Sequence, residues 1–292
     1  MKVNFFCGGP IKSGTTLLQR ALDSHPDISC EPEHHFKLLL QDLLVLCNKY
    51  NTNLEVIANS IGIAPRKVEQ YFFLEAFYKI IEEIFDRANE KNNFCGINDN
   101  SFIKNNGEAL LKKFTDHRII YIIRNPLDTA LSVWDHWFRD YQKNNDPTKL
   151  KWLQTDGKFD KDQFVIRSAK KWNEHAKYMI HMLEIFPNRV LIVRYEDFTK
   201  EKEKNLEKIL NFLGANSNEI ILKQISQEST LEKMRNDSTN PDFYKKARKD
   251  FGVSVLNKKI IQKSIDECSE SFTYFDYQNL MKESMLSCRA EN

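Results

Sequence analysis

The stretch GGPIKSGTTLLQRALDSHPDI, residues 8–28, decides the fold class of this chain. It follows the apolar run VNFF (3–6) and combines three glycines and a lysine with a Ser-Gly-Thr-Thr turn that leads into a helical pattern. A strand, a glycine-rich turn and a helix N-terminus form an anion site, because backbone N–H groups point into one concavity and the helix dipole adds positive charge. The stretch therefore predicts an α/β protein with a phosphate-binding loop.

The position of the lysine distinguishes this loop from the ATP-binding type. That type reads G-x-x-x-x-G-K-[ST]. Alignment from Gly9 puts Thr15 where the ATP-type lysine stands and leaves Lys12 two residues before Gly14. The backbone that binds a phosphate is kept. The lysine charge, however, meets a different point along the bound nucleotide than it does in the ATP-binding loop. A nucleotide kinase is an alternative that this pattern leaves open.

Three short apolar runs predict buried parallel strands, because continuous apolar residues suit strands that are covered on both faces. These runs are VNFF (3–6), RIIYII (118–123) and RVLIVR (189–194). Residues 36–91 and 161–186 are largely helical in pattern. We expect a three-layer P-loop-type α/β fold with a central, mostly parallel sheet flanked by helices, in a single domain over residues 1–292.

The composition is that of an ordinary globular protein. Of 292 residues, 41% are hydrophobic and 29% are charged, and a formal net charge of +2 does not favour a nucleic-acid partner. The six cysteines form no CxxC pair and no metal-ligand spacing, so we expect reduced thiols. No apolar stretch is long enough to cross a membrane and no secretory signal is visible, so the expected compartment is the cytoplasm.

A second phrase, RNPLDTALSVWDHW (124–137), places Arg124 directly after an apolar run and Ser132 eight residues further on. An arginine fork suits a dianionic phosphate, and a serine hydroxyl adds a neutral donor. Together with the first loop, this phrase resembles the PAPS-dependent sulfotransferases, where PAPS is 3′-phosphoadenosine 5′-phosphosulfate. The resemblance implies that Arg124 and Ser132 bind the 3′-phosphate. It also implies a 5′-phosphosulfate site made by Lys12, Ser13, Gly14, Thr15 and Thr16.

Two further segments resemble the same family less closely. Tyr195, in RYEDF (194–198), corresponds to a tyrosine that lies near the adenine in cytosolic relatives, and a structural tyrosine at a strand end is the alternative. Arg248 and Lys249 match the family's basic 3′-phosphate segment, although Asp250 stands where glycine is expected. A solvated run of charges is the competing interpretation of that segment.

Sulfuryl transfer resembles phosphoryl transfer, in which positioning and charge stabilisation dominate. Lys12 is expected to stabilise the charge that develops on the leaving 5′-phosphate. The acceptor also needs a general base. CEPEHHF (30–36) and GINDNSF (96–102) supply the candidates, which in order of preference are Glu33, His34, His35, Glu31 and Asp99. We expect no metal requirement, because sulfate carries less charge than phosphate.

The resemblance thus implies an enzyme that moves a sulfuryl group from PAPS to a hydroxyl or amine of an organic acceptor and releases adenosine 3′,5′-bisphosphate (PAP). The acceptor classes that stay open are small molecules, carbohydrates and lipids. One alternative is a P-loop kinase that uses ATP. Another is a catalytically inactive PAP(S)-binding protein whose basic C-terminal stretch docks on an acidic partner or a membrane surface. We expect no nucleic-acid partner and no integral membrane segment.

Overall fold

The computed structural model describes residues 2–88, 92–238 and 255–281. Its strands are β1 (Val3–Gly8), β2 (Ile28–Glu31), β3 (Phe94–Asn98), β4 (Arg118–Ile123), β5 (Gln154–Thr155), β6 (Lys158–Phe159) and β7 (Val190–Arg194). Five of them form a parallel sheet in the order β2-β3-β1-β4-β7, and β5 pairs antiparallel with β6 in a separate ribbon. The predicted α/β architecture with a central parallel sheet is confirmed.

Helices connect the strands and cover the sheet. Those in the described ranges are α1 (Thr15–Asp23), α2 (Phe36–Ile61), α3 (Gln70–Ala88), α4 (Asn100–Lys113), α5 (Pro126–Asn144), α6 (Pro147–Leu153), α7 (Lys161–Ile185), α8 (Tyr195–Lys200), α9 (Lys202–Leu213), α10 (Glu219–Glu228), α11 (Leu231–Asn236), α12 (Lys258–Asp266) and α13 (Ser269–Tyr274). None of these helices is long and apolar enough to cross a lipid bilayer.

The two faces of the sheet carry separate hydrophobic layers. On one face, leucines of α1 and α9 pack with Ile225 of α10 against apolar residues of β1 and β4. On the other face, Phe77 of α3 and Phe102 of α4 pack with Met182 of α7. A third cluster joins α5 and α7 to α12 and α13 around the buried Trp172. Helical layers on both sides explain why the strands consist of continuous apolar runs.

All five parallel strands end at the same edge of the sheet. β1 leads there into the glycine-rich loop, β3 into Asp99 and Asn100, β4 into Arg124, and β7 into Tyr195. Ligands of open parallel sheets bind at this edge, where the polar residues that follow the strands come together. The fold therefore brings the separate sequence motifs to one site.

Candidate active site

The glycine-rich loop between β1 and α1 is fastened to the strands on either side of it. The backbone N–H of Gly9 donates to Oδ1 of Asn100 at 3.2 Å. The Ser13 hydroxyl donates to the carbonyl of Ile122 at 3.1 Å. A side chain at Gly9 would bring Cβ to 2.1 Å from the Ile122 carbonyl oxygen, so the close approach of the loop to β4 requires glycine.

Ser13 has a different role from the one predicted. Its side chain is completely buried, its hydroxyl is used by Ile122, and its N–H donates to the carbonyl of Pro10 at 3.0 Å. Neither donor is available for a phosphate in this structure. Ser13 therefore shapes the loop rather than contacting an anion.

The conformation of the loop places Lys12 and the start of α1 around one point. Lys12 has φ of 66° and Gly14 has φ of 101°, so both lie in the left-handed region. No side chain among the described residues caps the N-terminus of α1. The first N–H groups of a helix lack carbonyl partners within the helix, so those of Thr15 and Thr16 are suited to bind an anion.

Arg124, at the end of β4, lies against the same loop. Its side chain is buried, and its Nη1 donates to the carbonyl of Lys12 at 3.3 Å. Its guanidinium stacks 4.7 Å from the ring centre of Tyr195 and lies 4.0 Å from the Asp128 carboxylate. Its Nε is buried without an acceptor in the described part of the chain. The guanidinium is thus held in place and retains an unused donor, as an anion site requires.

A buried carboxylate supports the turn after Arg124. Glu196 accepts the backbone N–H of Asn125 at 2.9 Å and the hydroxyl of Tyr277 at 3.3 Å. Burial raises the pKa of Glu196 above its usual range, and the hydrogen bond from Asn125 opposes that shift. The Glu196 side chain therefore fixes Asn125, the residue that precedes α5.

One face of α5 carries polar side chains at four-residue spacing, and neighbours at this spacing lie on the same face of a helix. They are Asp128, Ser132, His136 and Asp140, of which His136 and Asp140 lie 3.6 Å apart. Burial, followed by the positive charge of Arg139, lowers the pKa of Lys12 to about 8, while Asp140 opposes the shift. The second half of α5 therefore passes close to Lys12. The sequence of α5 does not reveal this approach to Lys12, because it is a tertiary contact.

Among the predicted general bases, Glu33 is the one that a hydrogen-bonded residue, Asn100, connects to the glycine-rich loop. Its Oε2 accepts from Nδ2 of Asn100 at 3.3 Å, and Oδ1 of the same Asn100 accepts from Gly9. Burial, with a contribution from the Asp99 charge, raises the pKa of Glu33. A raised pKa brings a carboxylate closer to the range in which it accepts a proton efficiently. Sequence reasoning missed Asn100, which carries no motif and joins Glu33 to the loop.

The neighbouring candidates have less suitable surroundings. His34 is exposed, and its ring stacks on Phe36 with centroids 5.3 Å apart. His35 is also exposed and precedes α2 with φ of 55°, its Nδ1 3.7 Å from Glu33. Glu31 lies at the end of β2 in a shallow depression that Thr16 also lines. The geometry favours Glu33 over these three residues.

Asp99 is not available as a base. Its Oδ2 accepts the N–H of Phe36 at 2.7 Å, and its Oδ1 accepts the N–H of Phe102 at 2.9 Å and the hydroxyl of Ser101 at 3.1 Å. The side chain is completely buried and caps the N-terminus of α4. Its predicted candidacy as the base is therefore wrong, because both oxygens hold the ends of two helices together.

Replacing Asp99 with alanine is expected to lower the free energy of unfolding by about 3 kcal/mol, because two buried N–H groups lose a charged acceptor. Denaturation in urea measures this change. Asp99→Asn is the matched control, since it retains one acceptor oxygen and should lose less stability. A large loss of turnover by Asp99→Asn without loss of stability would contradict the structural role.

Four further nucleotide contacts are predicted from the sequence, at Tyr195, Ser132, Arg248 and Lys249. Tyr195 packs against the loop, since a Cβ on Gly14 would lie 2.4 Å from its ring. Ser132 is half-buried on the face of α5 that also carries Asp128. Arg248 and Lys249 lie outside the described residues. The structure thus brings Lys12, Arg124 and Tyr195 into contact around one loop.

A family comparison identifies the class of protein to which this arrangement belongs. The model that describes the sulfotransferase family matches residues 4–219. The chain belongs to the sulfotransferase family. The matched span includes the glycine-rich loop, Arg124, Ser132 and Tyr195, so the resemblance seen in these motifs is confirmed at the level of the family.

Individual relatives are distant. The chain is 27% identical to rat sulfotransferase 1C2 over 146 residues, which are 49% of this chain and 46% of the relative. It is 26% identical to human sulfotransferase 1C2 over 163 residues, or 56% of this chain and 48% of the relative. The chain thus spans about half the length of the curated relatives that it matches.

Solved structures show the same fold along nearly the whole chain. Mouse sulfotransferase SULT7A1, solved in complex with PAP, has a TM-score of 0.62 at 18% identity and covers 98% of this chain and 90% of its own. Sulfotransferase STF9 from Mycobacterium avium has a TM-score of 0.55 at 14% identity, with coverage of 94% and 77%. At such identities the likeness shows the fold alone.

Proposed function

We propose that this sulfotransferase takes its sulfuryl group from PAPS and transfers it to a hydroxyl or amine of an organic acceptor by in-line displacement, releasing PAP. One observation carries the proposal: the Arg124 guanidinium donates to the Lys12 carbonyl and retains a buried Nε donor that no described residue accepts. Lys12 and Arg124 are two cations at one loop, which suits a nucleotide with phosphates on both its 3′ and 5′ positions. The mouse structure that shares the fold holds PAP.

The residues of the loop would bind the 5′-phosphosulfate. The N–H groups of Gly14, Thr15 and Thr16 would donate to its oxygens at the N-terminus of α1. The Lys12 ammonium would stabilise the negative charge that develops on the leaving phosphate as the S–O bond lengthens. Ser13 would hold the loop in this shape through its bond to Ile122.

The far end of the nucleotide would lie on α5. Arg124 and Ser132 would bind the 3′-phosphate, together with Arg248 and Lys249 as predicted from the sequence. Tyr195 would contact the adenine, with its ring held between Arg124 and Gly14. Glu196 would support this end indirectly, because it fixes the turn at Asn125.

Glu33 would accept the proton of the acceptor, with His34 as the less favoured candidate. Asn100 orients one oxygen of Glu33 toward the loop. We propose that the reaction needs no metal. Within the described residues no group of three or more histidine, cysteine, aspartate or glutamate side chains is arranged to hold one.

Transfer of labelled sulfate from PAPS to a panel of phenols, sugars and lipids tests this function, and formation of a labelled product is the expected result. Calorimetric titration with PAP and with ATP plus magnesium distinguishes a sulfotransferase from a kinase. Tight binding of PAP without a magnesium effect supports the sulfotransferase. Binding of ATP that depends on magnesium, without binding of PAP, would contradict it. Tight PAP binding without transfer to any acceptor indicates an inactive PAP-binding protein.

The affinity for PAP is expected to be constant between about pH 7 and 7.5 and to fall above pH 8. Burial and Arg139 lower the pKa of Lys12 to about 8. An anion bound beside Lys12 favours the protonated amine, so binding above that pH must take up a proton. Calorimetry in buffers of different ionisation enthalpy measures this uptake. Lys12→Arg should remove the pH step, and an unchanged step would contradict the assignment.

A further inference from the structure

The peptide unit that follows Arg124 is held at both of its polar ends. The carbonyl of Arg124 accepts from the indole Nε1 of Trp172 at 2.9 Å and from the Thr129 hydroxyl at 3.5 Å. The N–H of the same unit, which belongs to Asn125, donates to Oε1 of Glu196 at 2.9 Å. Because a peptide unit is planar, partners at its C=O and its N–H fix its orientation. Side chains of α5, α7 and α8 therefore set the backbone from which the Arg124 side chain extends.

Tyr277, which follows α13, contacts both of the distant partners of this peptide unit. Its hydroxyl donates to Oε2 of Glu196 at 3.3 Å. Its ring centre lies 5.9 Å from that of Trp172 with 66° between the planes, which is an edge-to-face contact. Tyr277 is completely buried and Trp172 nearly so. Since protein interiors are close-packed, a movement of either ring would displace the other.

The segment that carries Tyr277 is itself fastened to the central sheet. Arg194, the last residue of β7, donates from Nη1 to the carbonyl of Phe275 at 2.7 Å. The same guanidinium bonds both carboxylate oxygens of Asp197, at 2.7 and 2.9 Å. The ring of Phe275 lies 6.2 Å from that of Trp172. The residues after α13 thus join α7 and α8 in one packed unit next to Arg124.

The contacts of the Arg124 side chain are longer than those of its backbone. The bond from Nη1 to the Lys12 carbonyl measures 3.3 Å, beyond the roughly 2.7–3.2 Å of ordinary N–H···O bonds. The Asp128 carboxylate lies 4.0 Å from Nη2, and the ring of Tyr195 lies 4.7 Å from the centre of the guanidinium. The position of the guanidinium therefore depends strongly on the clamped peptide unit behind it.

We propose that Trp172 and Tyr277 are positioning residues for recognition of the 3′-phosphate, because they hold the peptide unit from which Arg124 reaches this group. The inference rests on the proposed PAPS-dependent function and names residues that act at the same site through the backbone. A donor that is ordered on folding binds its partner more tightly, since less ordering is needed on binding. The preference for a nucleotide with a 3′-phosphate should therefore depend on these two aromatic residues.

Two nucleotides that differ only in the 3′-phosphate test this proposal on the full chain. Calorimetric titration with PAP and with adenosine 5′-phosphate gives the ratio of the two affinities for each variant. Trp172→Phe removes the indole donor and should weaken PAP binding about tenfold, whereas Tyr277→Phe acts one contact further away and should weaken it about threefold. These factors span the range for one lost hydrogen bond. The affinity for adenosine 5′-phosphate should stay unchanged in both variants.

The matched control is Tyr178→Phe. It also removes a buried hydroxyl contact of α7, the one that accepts the N–H of Glu108 at 3.0 Å on the side of α4. Urea denaturation should show a loss of stability in this variant, while its ratio of affinities should equal that of the wild type. At the other end of the peptide unit, Glu196→Gln keeps an acceptor for the Asn125 N–H. It should therefore lose less of the ratio than Glu196→Ala.

The outcomes separate a positioning role from a structural one. An equal loss of affinity for both nucleotides in Trp172→Phe and Tyr277→Phe, or no loss for either nucleotide, would overturn the proposal. If Trp172→Phe does not fold, Tyr277→Phe decides by the same criterion. A wild-type protein that binds the two nucleotides equally would overturn the proposed function instead, since it would not recognise a 3′-phosphate.

Discussion

Replacing Lys12 with methionine is expected to lower kcat by about 10²–10³-fold, the loss found when one stabilising donor is removed from a developing anion. Methionine keeps most of the volume of the lysine stem, and the backbone conformation at φ of 66° is set by the loop. The folded state should therefore persist. Steady-state kinetics with labelled PAPS measures the change, and circular dichroism checks the fold.

The control for Lys12 is Lys208→Met, which changes an exposed lysine on α9. Its kcat should equal that of the wild type. A Lys12→Met enzyme with a near-wild-type kcat would show that the ammonium does not stabilise the leaving group. A loss confined to KM would assign Lys12 to ground-state binding alone.

The Glu33→Gln enzyme is expected to lose about 10²–10⁴-fold in kcat, the range that a positioned general base contributes. Glutamine retains an oxygen that can accept from Asn100 at 3.3 Å, so the local structure should be preserved. The affinity for PAP should not change, because Glu33 is proposed to contact the acceptor and not the nucleotide. Kinetics and PAP calorimetry on the same preparation separate these two effects.

Two neighbouring variants make the Glu33 result specific. Glu31→Gln changes a carboxylate of the same segment that lines a depression beside Thr16, and it should retain activity. His34→Asn tests the less favoured base. Loss of turnover in His34→Asn with retention in Glu33→Gln would move the proton-accepting role to the histidine.

The sequence was sufficient to predict the strands that are formed by continuous apolar runs. β4 and β7 each lie within a predicted run, and β1 begins with the predicted run 3–6 and continues to Gly8, because both faces of these strands are covered by helices. β2 has four residues and β3 has five. β3 also contains Gly96, against which the ring of Phe5 packs. Such short and irregular patterns do not distinguish a strand from a loop.

The meeting of Lys12 and Arg124 at one loop was predictable, because each follows a buried strand of the parallel sheet. The roles of Ser13 and Asp99 were not, because each depends on which carbonyl or N–H of a distant element lies within reach. Asn100 was missed for the same reason: its side chain joins Glu33 to Gly9 across three strand ends. Tertiary hydrogen bonds leave no periodic signal in the sequence.

A crystal structure of the protein with PAP bound tests the central claim most directly. We expect the 5′-phosphate at the N-terminus of α1 beside the Lys12 ammonium, and the 3′-phosphate within hydrogen-bonding distance of the guanidinium of Arg124 and the hydroxyl of Ser132. A nucleotide bound in another cavity, or one whose 3′-phosphate does not touch Arg124, would contradict the account.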